Sequence, residues 1–365
     1  MAKSKVYKNS YIPWMRRALH LASLADGCTS PNPLVGAVIL NSEGKLVGEG
    51  FHSCAGQPHA ETKALLQAGN KACGGTMFVT LEPCCHQGRT PPCTEAIINS
   101  GIKRVVLAIE DPDPRVSGNG VSRLKEAGIE VMKGLLEEEA TFLNREFIFR
   151  VSTGRPWGIL KWAMSVDGRI GLPNGESKWI SGNQARDSVH RLRSKCDAVI
   201  IGGGTLRSDN PLLTSRGKSN PEPLRVVFSQ SLSLPKVANL WDTSIARTTI
   251  AFGPDADQAA LEDIPYEPKR LKLKSKNPGS LLESLALEGC NRILWECGAK
   301  LATAAIKDNC VQELAVFISP KLLGGVSAMT PLSDFGFKSI STTYDLNSVS
   351  FGLEGKDLIW KLLFK

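Results

Sequence analysis

The sequence predicts an α/β protein of two domains, with a three-layer α/β/α domain first and a second α/β domain after it. Three observations lead there. The chain has 365 residues, more than one core of ordinary size uses, and a hydrophobic share of 42% that suffices for two. Its first half alternates short apolar runs with stretches of helical apolar spacing. Thr153-Gly154-Arg155-Pro156 then breaks the pattern before fresh apolar runs begin, which divides the chain into 1–152 and 153–365.

Each element has a local cause. Ile12, Met15, Leu19 and Ala22 recur at helical spacing, which predicts a helix over 12–25. Runs 35–40 and 45–52 read as a hairpin across Asn41-Ser42-Glu43-Gly44. A helix starts at His59 and closes near Gly69, a residue suited to a helix C-terminus. Run 76–80 is a strand leading into Pro83-Cys84, and 93–100 is a helix ending at Gly101. Strand 104–109, helix 120–128, strand 130–133 and a last helix over 137–149 complete the first half. In the second half, helix 181–193 precedes the apolar strand 198–201, which ends in glycines. Strand 292–296 ends near Gly298, and a helix runs on to Lys307. A strand feeding a glycine and a helix N-terminus suits a pyrophosphate. No Gly-x-Gly-x-x-Gly opens a βαβ unit, which argues against a Rossmann fold.

Composition narrows the partners. The formal net charge of +8 raises nucleic acid as a ligand. Lysine and arginine are nevertheless dispersed, and the densest cluster, Lys269-Arg270-Leu271-Lys272-Leu273-Lys274-Ser275-Lys276, reads as a solvated edge strand or loop without aromatic residues for base stacking. Phosphorylated small molecules also suit a positive field. No apolar run reaches the ~18 residues of a membrane span. Met1 to Asn9 lacks the apolar segment of a secretory signal. The ten cysteines are scattered along a long chain, so they read as mostly buried thiols rather than a disulfide framework. These features predict a cytoplasmic protein with no membrane and no nucleic acid among its partners; a homo-oligomer is expected.

His59-Ala60-Glu61, then Pro83-Cys84 and Cys93, carry the chemistry. They supply one imidazole, two thiolates and one carboxylate that is not a ligand. Three protein ligands leave a zinc ion one open position for water, whose pKa then falls toward ~7. A glutamate two positions after the histidine shuttles a proton from that water to the substrate ring and to departing ammonia. The commonest spacing places the second cysteine three positions after the first, whereas here it stands nine positions on. Cys85 and His86 are therefore rivals for the third place. Adjacent side chains rarely converge on one ion, and Cys93 opens a helix whose dipole favours a thiolate. His59, Cys84 and Cys93 are accordingly the assigned ligands and Glu61 the catalytic residue. A closed structural clip with Cys85 as fourth ligand stays open as the alternative, although it leaves Glu61 unexplained.

The stretch from Thr80 to Cys93, with Asn32-Pro33-Leu34-Val35-Gly36-Ala37, Gly48-Glu49-Gly50-Phe51-His52 and the run from Asp111 to Gly120, resembles the deaminase half of the bifunctional riboflavin-biosynthesis deaminase/reductases. That resemblance implies a cytidine-deaminase-like domain acting on 2,5-diamino-6-(5-phosphoribosylamino)pyrimidin-4(3H)-one. The residues suit such a ligand. Arg89 can grip a phosphate bidentately beside Gly88 and His86. Asn32 can both donate to and accept from a pyrimidine edge, and Asp111 can accept from an amino group. His52 and Asn119 complete the substrate set. Asn32 before Pro33 and Asp111 before Pro112 suit plain turns as well, and His52 suits packing.

The segments Trp157 to Ile170, Gly175 to Ser181, Gly202 to Thr205, Ser208 to Thr214, Glu296 to Ala299 and Pro320 to Gly325 look like the reductase half of the same family. The resemblance thus covers nearly the whole chain in order, with 230–290 carrying little of it. It implies a dihydrofolate-reductase-like domain that uses NADPH to reduce the ribosyl side chain to ribityl. By the same resemblance the nucleotide touches Ala163, Trp179, Thr205, Asp209 and Gly298, Ala299, Lys300, Leu301, Ala302, Thr303 and Ala304. The phosphorylated pyrimidine touches Ser177, Arg193, Leu213, Arg216 and Glu296, with Lys161 close by. Arg193 and Arg216 would grip phosphate, and Lys161 would hold the sugar oxygen. Two duller readings stand beside these: Arg193 ends a helix, where a cation suits the dipole, and Trp179 suits a core.

Two rivals of other classes are a nucleic-acid base deaminase with an appended domain and a zinc-stabilised binding protein without turnover. The reductase-like half argues against the first, and Glu61 against the second.

Overall fold

The computed structural model describes residues 2–85, 91–113, 116–265 and 267–365. Its contacts divide the chain into two units, Met1–Gly154 and Arg155–Lys365.

The first unit runs α1 (Ala2–Ser23), β1 (Gly36–Leu40), β2 (Leu46–Phe51), α2 (Ala60–Ala68), β3 (Thr76–Leu81), α3 (Cys93–Asn99), β4 (Arg104–Ile109), α4 (Asn119–Glu126), β5 (Glu130–Lys133), α5 (Glu137–Leu143) and α6 (Arg145–Thr153). Its sheet has the order β2-β1-β3-β4-β5. β1 is antiparallel to β2 and β3, whereas β3, β4 and β5 are parallel. Alternate strand residues point to opposite faces, and this creates the three layers. Ala37, Ile39, Met77, Val79, Val105 and Leu107 pack under α2, α3 and α4. Val38, Leu40, Phe78, Val106 and Ala108 meet Met15, Ala18 and Leu19 of α1 and Ala140 of α5 on the other side. The helix α2 lies close on β2 because Gly50 has no side chain; a Cβ there would stand 2.7 Å from Ala60 O.

Two boundaries differ from the sequence reading. α1 begins at Ala2 rather than Ile12, since Ala2 to Ser10 carries no apolar stripe and periodicity gives no signal there. The single helix expected over 137–149 is two. They meet at Asn144, whose side chain accepts from Leu34 N at 2.8 Å and donates to Leu34 O at 2.9 Å. A partner 110 residues away is invisible to local periodicity.

The second unit runs β6 (Trp157–Ser165), α7 (Asn183–Arg193), β7 (Ala198–Gly202), α8 (Gly203–Asp209), β8 (Leu224–Phe228), β9 (Thr248–Phe252), β10 (Lys269–Lys272), α9 (Pro278–Leu287), β11 (Arg292–Trp295), α10 (Ala299–Lys307), β12 (Glu313–Ser319), β13 (Leu346–Glu354) and β14 (Asp357–Phe364). They form one sheet in the order β10-β9-β8-β7-β11-β6-β12-β14-β13. Strands β10 to β12 in that order are parallel, and the β13–β14 hairpin adds two antiparallel strands. β8 and β9 are buried at every position, as expected of parallel strands covered on both faces. Leu281, Leu285, Ala302 and Ile306 of α9 and α10 pack on one face; Ala185, Val189 and Leu206 of α7 and α8 pack on the other. The segment that carried little resemblance holds β9, β10 and α9. The Lys269 cluster forms the edge strand β10, as its charge pattern suggested. Arg225 is fully buried within β8 and donates to the carbonyls of Leu212, Leu240, Asp242 and Ala246, so its cation serves the fold.

All ten cysteines are free. Only Cys93, Cys196, Cys290 and Cys310 are buried, while Cys28 and Cys73 are exposed, so burial of the thiols is less general than expected. No helix among the described residues is long and apolar enough to cross a membrane.

Candidate active sites

In the first unit, His59 is the residue at which α2 begins and Cys93 is the first residue of α3. Cys84 lies just past the end of β3. The sheet brings these three ends together. His59 Nδ1 stands 3.2 Å from Cys93 Sγ and 3.6 Å from Cys84 Sγ, and the three donor atoms lie within 4.8 Å of one another. A tetrahedral zinc with bonds of about 2.05 Å to nitrogen and about 2.3 Å to sulfur would hold N and S about 3.6 Å apart. The donor set and its spacing therefore fit zinc. Cys85 is half-buried and stands outside this group, so it does not close the site as a fourth ligand. The hydrogen bond from Cys93 holds the Cys84 thiol down at about 4, and the same contact pushes Cys93 up.

Glu61, in the first turn of α2, is 3% exposed. Burial raises its carboxyl to about 7, and the Cys84 sulfur adds to that. A cleft of about 550 Å³ opens on these residues and is lined also by Asn32, His52, Asp111 and Asp113. Asn32 Nδ2 lies 3.0 Å from His52 Nε2, and His52 Nδ1 faces Pro58 O at 3.5 Å. Burial pushes the His52 imidazole down, which favours its neutral form. Its ring meets the His59 ring edge-on at 5.3 Å. His52 thus holds the Asn32 amide at the cleft and also packs on a metal-ligand candidate.

The remaining expectations for this site divide. His86 and Arg89 lie outside the described residues. Asn119 is exposed at the start of α4 and is not among the residues lining the cleft. The sequence reading missed Glu82, Phe147 and Arg150, all of which line it. Phe147 and Arg150 sit on α6, far along the chain from any motif. Glu82 stood within the quoted motif, two positions before Cys84, which was the one available signal.

In the second unit, the carboxylate of Glu296 follows β11 and meets Lys161 of β6 and Arg193 at the end of α7. Arg193 Nε donates to Glu296 Oε1 at 2.6 Å and Nη2 to Oε2 at 3.0 Å, and Nη1 donates to Thr214 O at 3.0 Å. Three of the five N–H groups of Arg193 are therefore engaged within the protein. Lys161 Nζ lies 3.9 Å from Glu296 Oε2. Against burial, which would raise it, Arg193 and Lys161 hold the Glu296 carboxyl down at about 2. Burial lowers the Lys161 amine from its usual value. Arg216 is exposed, with a φ of 57°. Its flanking amides, Ser215 N and Gly217 N, both donate to Glu222, at 2.5 and 2.8 Å. Leu213 is only 2% exposed, so its side chain belongs to the core.

The cofactor expectations also divide. Strands β7 and β11 are neighbours, and α8 and α10 leave from their C-terminal ends. A Cβ on Gly202 would stand 3.4 Å from Leu301 Cδ2, so the two helix starts are adjacent. Thr205 and Asp209 lie on α8, and Asp209 O accepts from Lys178 Nζ at 3.1 Å. Ala163 lies two positions beyond Lys161 on β6 and shares its face. Gly298 and Lys300 are exposed, with Ala299, Leu301 and Ala304 half-exposed. Ala302 packs into the core and the Thr303 hydroxyl bonds Ser333, because the inner face of α10 must cover the sheet; those two side chains are unavailable. Ser177 is half-buried in the loop before α7. Trp179 is 61% exposed beneath the Arg186 guanidinium at 4.3 Å, so it is not a core residue.

Comparison with known proteins places both units. Residues 8–109 match the cytidine and deoxycytidylate deaminase zinc-binding region, and residues 156–355 match the RibD C-terminal domain. The riboflavin biosynthesis protein RibD of Synechocystis is 47% identical over 95% of this chain and 94% of its own length. The Escherichia coli protein of that name is 39% identical over 90% and 95%. The solved structure of Acinetobacter baumannii RibD superposes with a TM-score of 0.89 at 36% identity, covering 98% of this chain and 99% of that one. A Thermotoga maritima structure described as a diaminohydroxyphosphoribosylaminopyrimidine deaminase/5-amino-6-(5-phosphoribosylamino)uracil reductase gives 0.88 at 35%, covering 98% and 100%. On these matches over nearly its whole length, the chain belongs to the RibD family of riboflavin biosynthesis proteins.

Proposed function

We propose that the chain catalyses two successive steps of riboflavin synthesis, one in each unit: hydrolytic deamination of 2,5-diamino-6-(5-phosphoribosylamino)pyrimidin-4(3H)-one, then reduction of its ribosyl side chain to give 5-amino-6-(5-phosphoribitylamino)uracil. The observation that carries the first step is the convergence of His59 Nδ1, Cys84 Sγ and Cys93 Sγ, with His59, Cys84 and the buried Glu61 lining one cleft. The description of the Thermotoga maritima relative, which names both activities, supports the pair.

His59, Cys84 and Cys93 would hold zinc, which would supply a Lewis acid able to make water nucleophilic near neutral pH. Glu61 would carry one proton of the water to the ring nitrogen and, once the oxygen has added to the ring carbon, the second to the amino group that leaves as ammonia. Asn32, held by His52, and Asp111 present polar groups to the pyrimidine edge.

In the second unit NADPH, when bound, would supply the hydride for the sugar carbon. The backbone amides at the starts of α8 and α10 would hold its phosphates. Lys161 holds the sugar oxygen, and Glu296 with Arg193 keeps Lys161 in place. The substrate phosphate falls to Arg216 and to the N–H groups of Arg193 that Glu296 and Thr214 leave over.

The cytoplasm is the proposed location, which ten free cysteines suit. A homo-oligomer is the proposed assembly. The edge strand β13 supports it, with Val349, Phe351 and Leu353 exposed and no charge from Leu346 to Leu353.

The test is incubation with the diaminopyrimidine phosphate, zinc and NADPH, following ammonia release and loss of cofactor absorbance separately. Ammonia release that needs zinc and reduction that needs the deaminated product are expected. Cofactor oxidation with no ammonia, using the diamino compound, would overturn the order of the steps.

A further inference from the structure

Glu82 is a carboxylate with no role in the chemistry above, yet it is only 3% exposed and lines the cleft. It stands between the end of β3 and Cys84. Its oxygens accept three backbone N–H groups from one segment: Asp111 N at 3.1 Å and Gly118 N at 3.0 Å on Oε2, and Val121 N at 3.0 Å on Oε1. Gly118 is the residue at which α4 begins and has no side chain to cap the helix. A capping side chain ordinarily satisfies the amide that Val121 presents here. Glu82 supplies that acceptor from a distant strand end.

A second observation fixes the same contact. A Cβ on Gly120 would stand 2.2 Å from Pro83 O and 3.1 Å from Glu82 Oε1, so the first turn of α4 rests directly on the Pro83 carbonyl and the Glu82 side chain. Between the two clamped amides, Asp111 N and Gly118 N, lie the cleft-lining residues Asp111, Asp113 and Val116. One carboxylate therefore joins a cleft wall to the strand end that delivers Cys84.

We propose that Glu82 is a positioning residue for deamination, holding the Asp111 wall at a set distance from the Cys84 side of the site. The inference rests on the reading that this cleft binds the pyrimidine through Asp111. Loss of one acceptor then displaces the wall, weakens substrate binding and leaves the metal donors in place. Glutamine tests this because it retains the shape but has a single acceptor oxygen, and its amide group would face a backbone N–H.

The experiment measures KM and kcat for deamination in the zinc-loaded full-length chain as E82Q, D111A and E82Q/D111A, with zinc content and reductase rate recorded for each. E82Q is expected to raise KM about tenfold, the effect of losing one well-made hydrogen bond, at unchanged zinc content and reductase rate. In the D111A background E82Q is expected to add nothing, because the two act as one unit. Equal effects of E82Q with and without Asp111, or loss of zinc in step with loss of activity, would reduce Glu82 to a folding residue. If D111A raises KM and E82Q does not, the inference alone fails. If D111A leaves KM unchanged, the reading of the cleft fails and takes the inference with it. E82D retains the charge with a shorter reach; it is expected to fall between wild type and E82Q, and it replaces E82Q if that variant does not fold.

Discussion

Arg193 and Glu296 form a two-point ion pair, 2.6 and 3.0 Å, with side-chain exposures of 13% and 11%. Lys161 stands 3.9 Å from the same carboxylate. Two cations and one anion are thus gathered where the C-terminal ends of parallel strands open, the usual place for ligands in such sheets.

This pair makes stability acid-sensitive. The Glu296 carboxyl is held at about 2 against an ordinary 4.5. Its contribution, on the order of 3 kcal/mol, is complete above pH 4.5 and is lost as pH falls through that window toward 2. Denaturant unfolding of the second unit at stepped pH should show the decline. Glu296→Gln should flatten it while costing about 3–5 kcal/mol at neutral pH, because Arg193 is left buried without its partner. An unchanged pH profile in the variant would remove the assignment.

Glu61→Gln should cut ammonia release by about 10²–10⁴, the range for loss of a positioned general acid–base. Oxidation of NADPH on the deaminated pyrimidine should be untouched. Stopped assays of the two products, run on one preparation, check both statements. Parallel loss of both activities would mean the units do not work separately.

Arg216→Ala should raise KM for the deaminated pyrimidine phosphate by more than it raises KM for NADPH. The guanidinium is exposed and its backbone is clamped on both sides by Glu222, so truncation removes a ligand contact with little effect on the fold. Steady-state titration of each substrate separates the two constants. A larger effect on the nucleotide would reassign the residue.

Gly50→Ala should weaken deamination without altering a polar side chain. The added Cβ would meet Ala60 O and Lys63 Cβ, each at 2.7 Å, and push back the start of α2 that carries His59 and Glu61. A stability loss of about 1–3 kcal/mol is expected from such overpacking. Thermal unfolding and zinc content should fall together, with reduction preserved; wild-type zinc content would contradict the close approach.

Much of this was legible along the chain. His59, Cys84 and Cys93 are identified by residue type and spacing, because zinc demands particular donors and those donors are rare; Glu61 is singled out by its place two positions after His59. The strands of the first sheet, and β7 and β11 of the second, announce themselves through apolar runs. Asn144 and Glu82 did not announce themselves. Each is a polar residue whose partners are backbone groups far along the chain, and no local pattern encodes such a partner. Arg193 adds a third case: the carboxylate that holds its guanidinium stands 103 residues away.

The order of residues determined by itself which atoms can hold a metal and which carboxylate can move a proton, since those are properties of side-chain chemistry and of a few positions of spacing. Only the folded chain decided which charges are already neutralised, which side chains face the core and which backbone amides hold the cleft walls. Those outcomes depend on segments brought together by sheet order, and a carboxylate or guanidinium has no fixed role until its neighbours are in place.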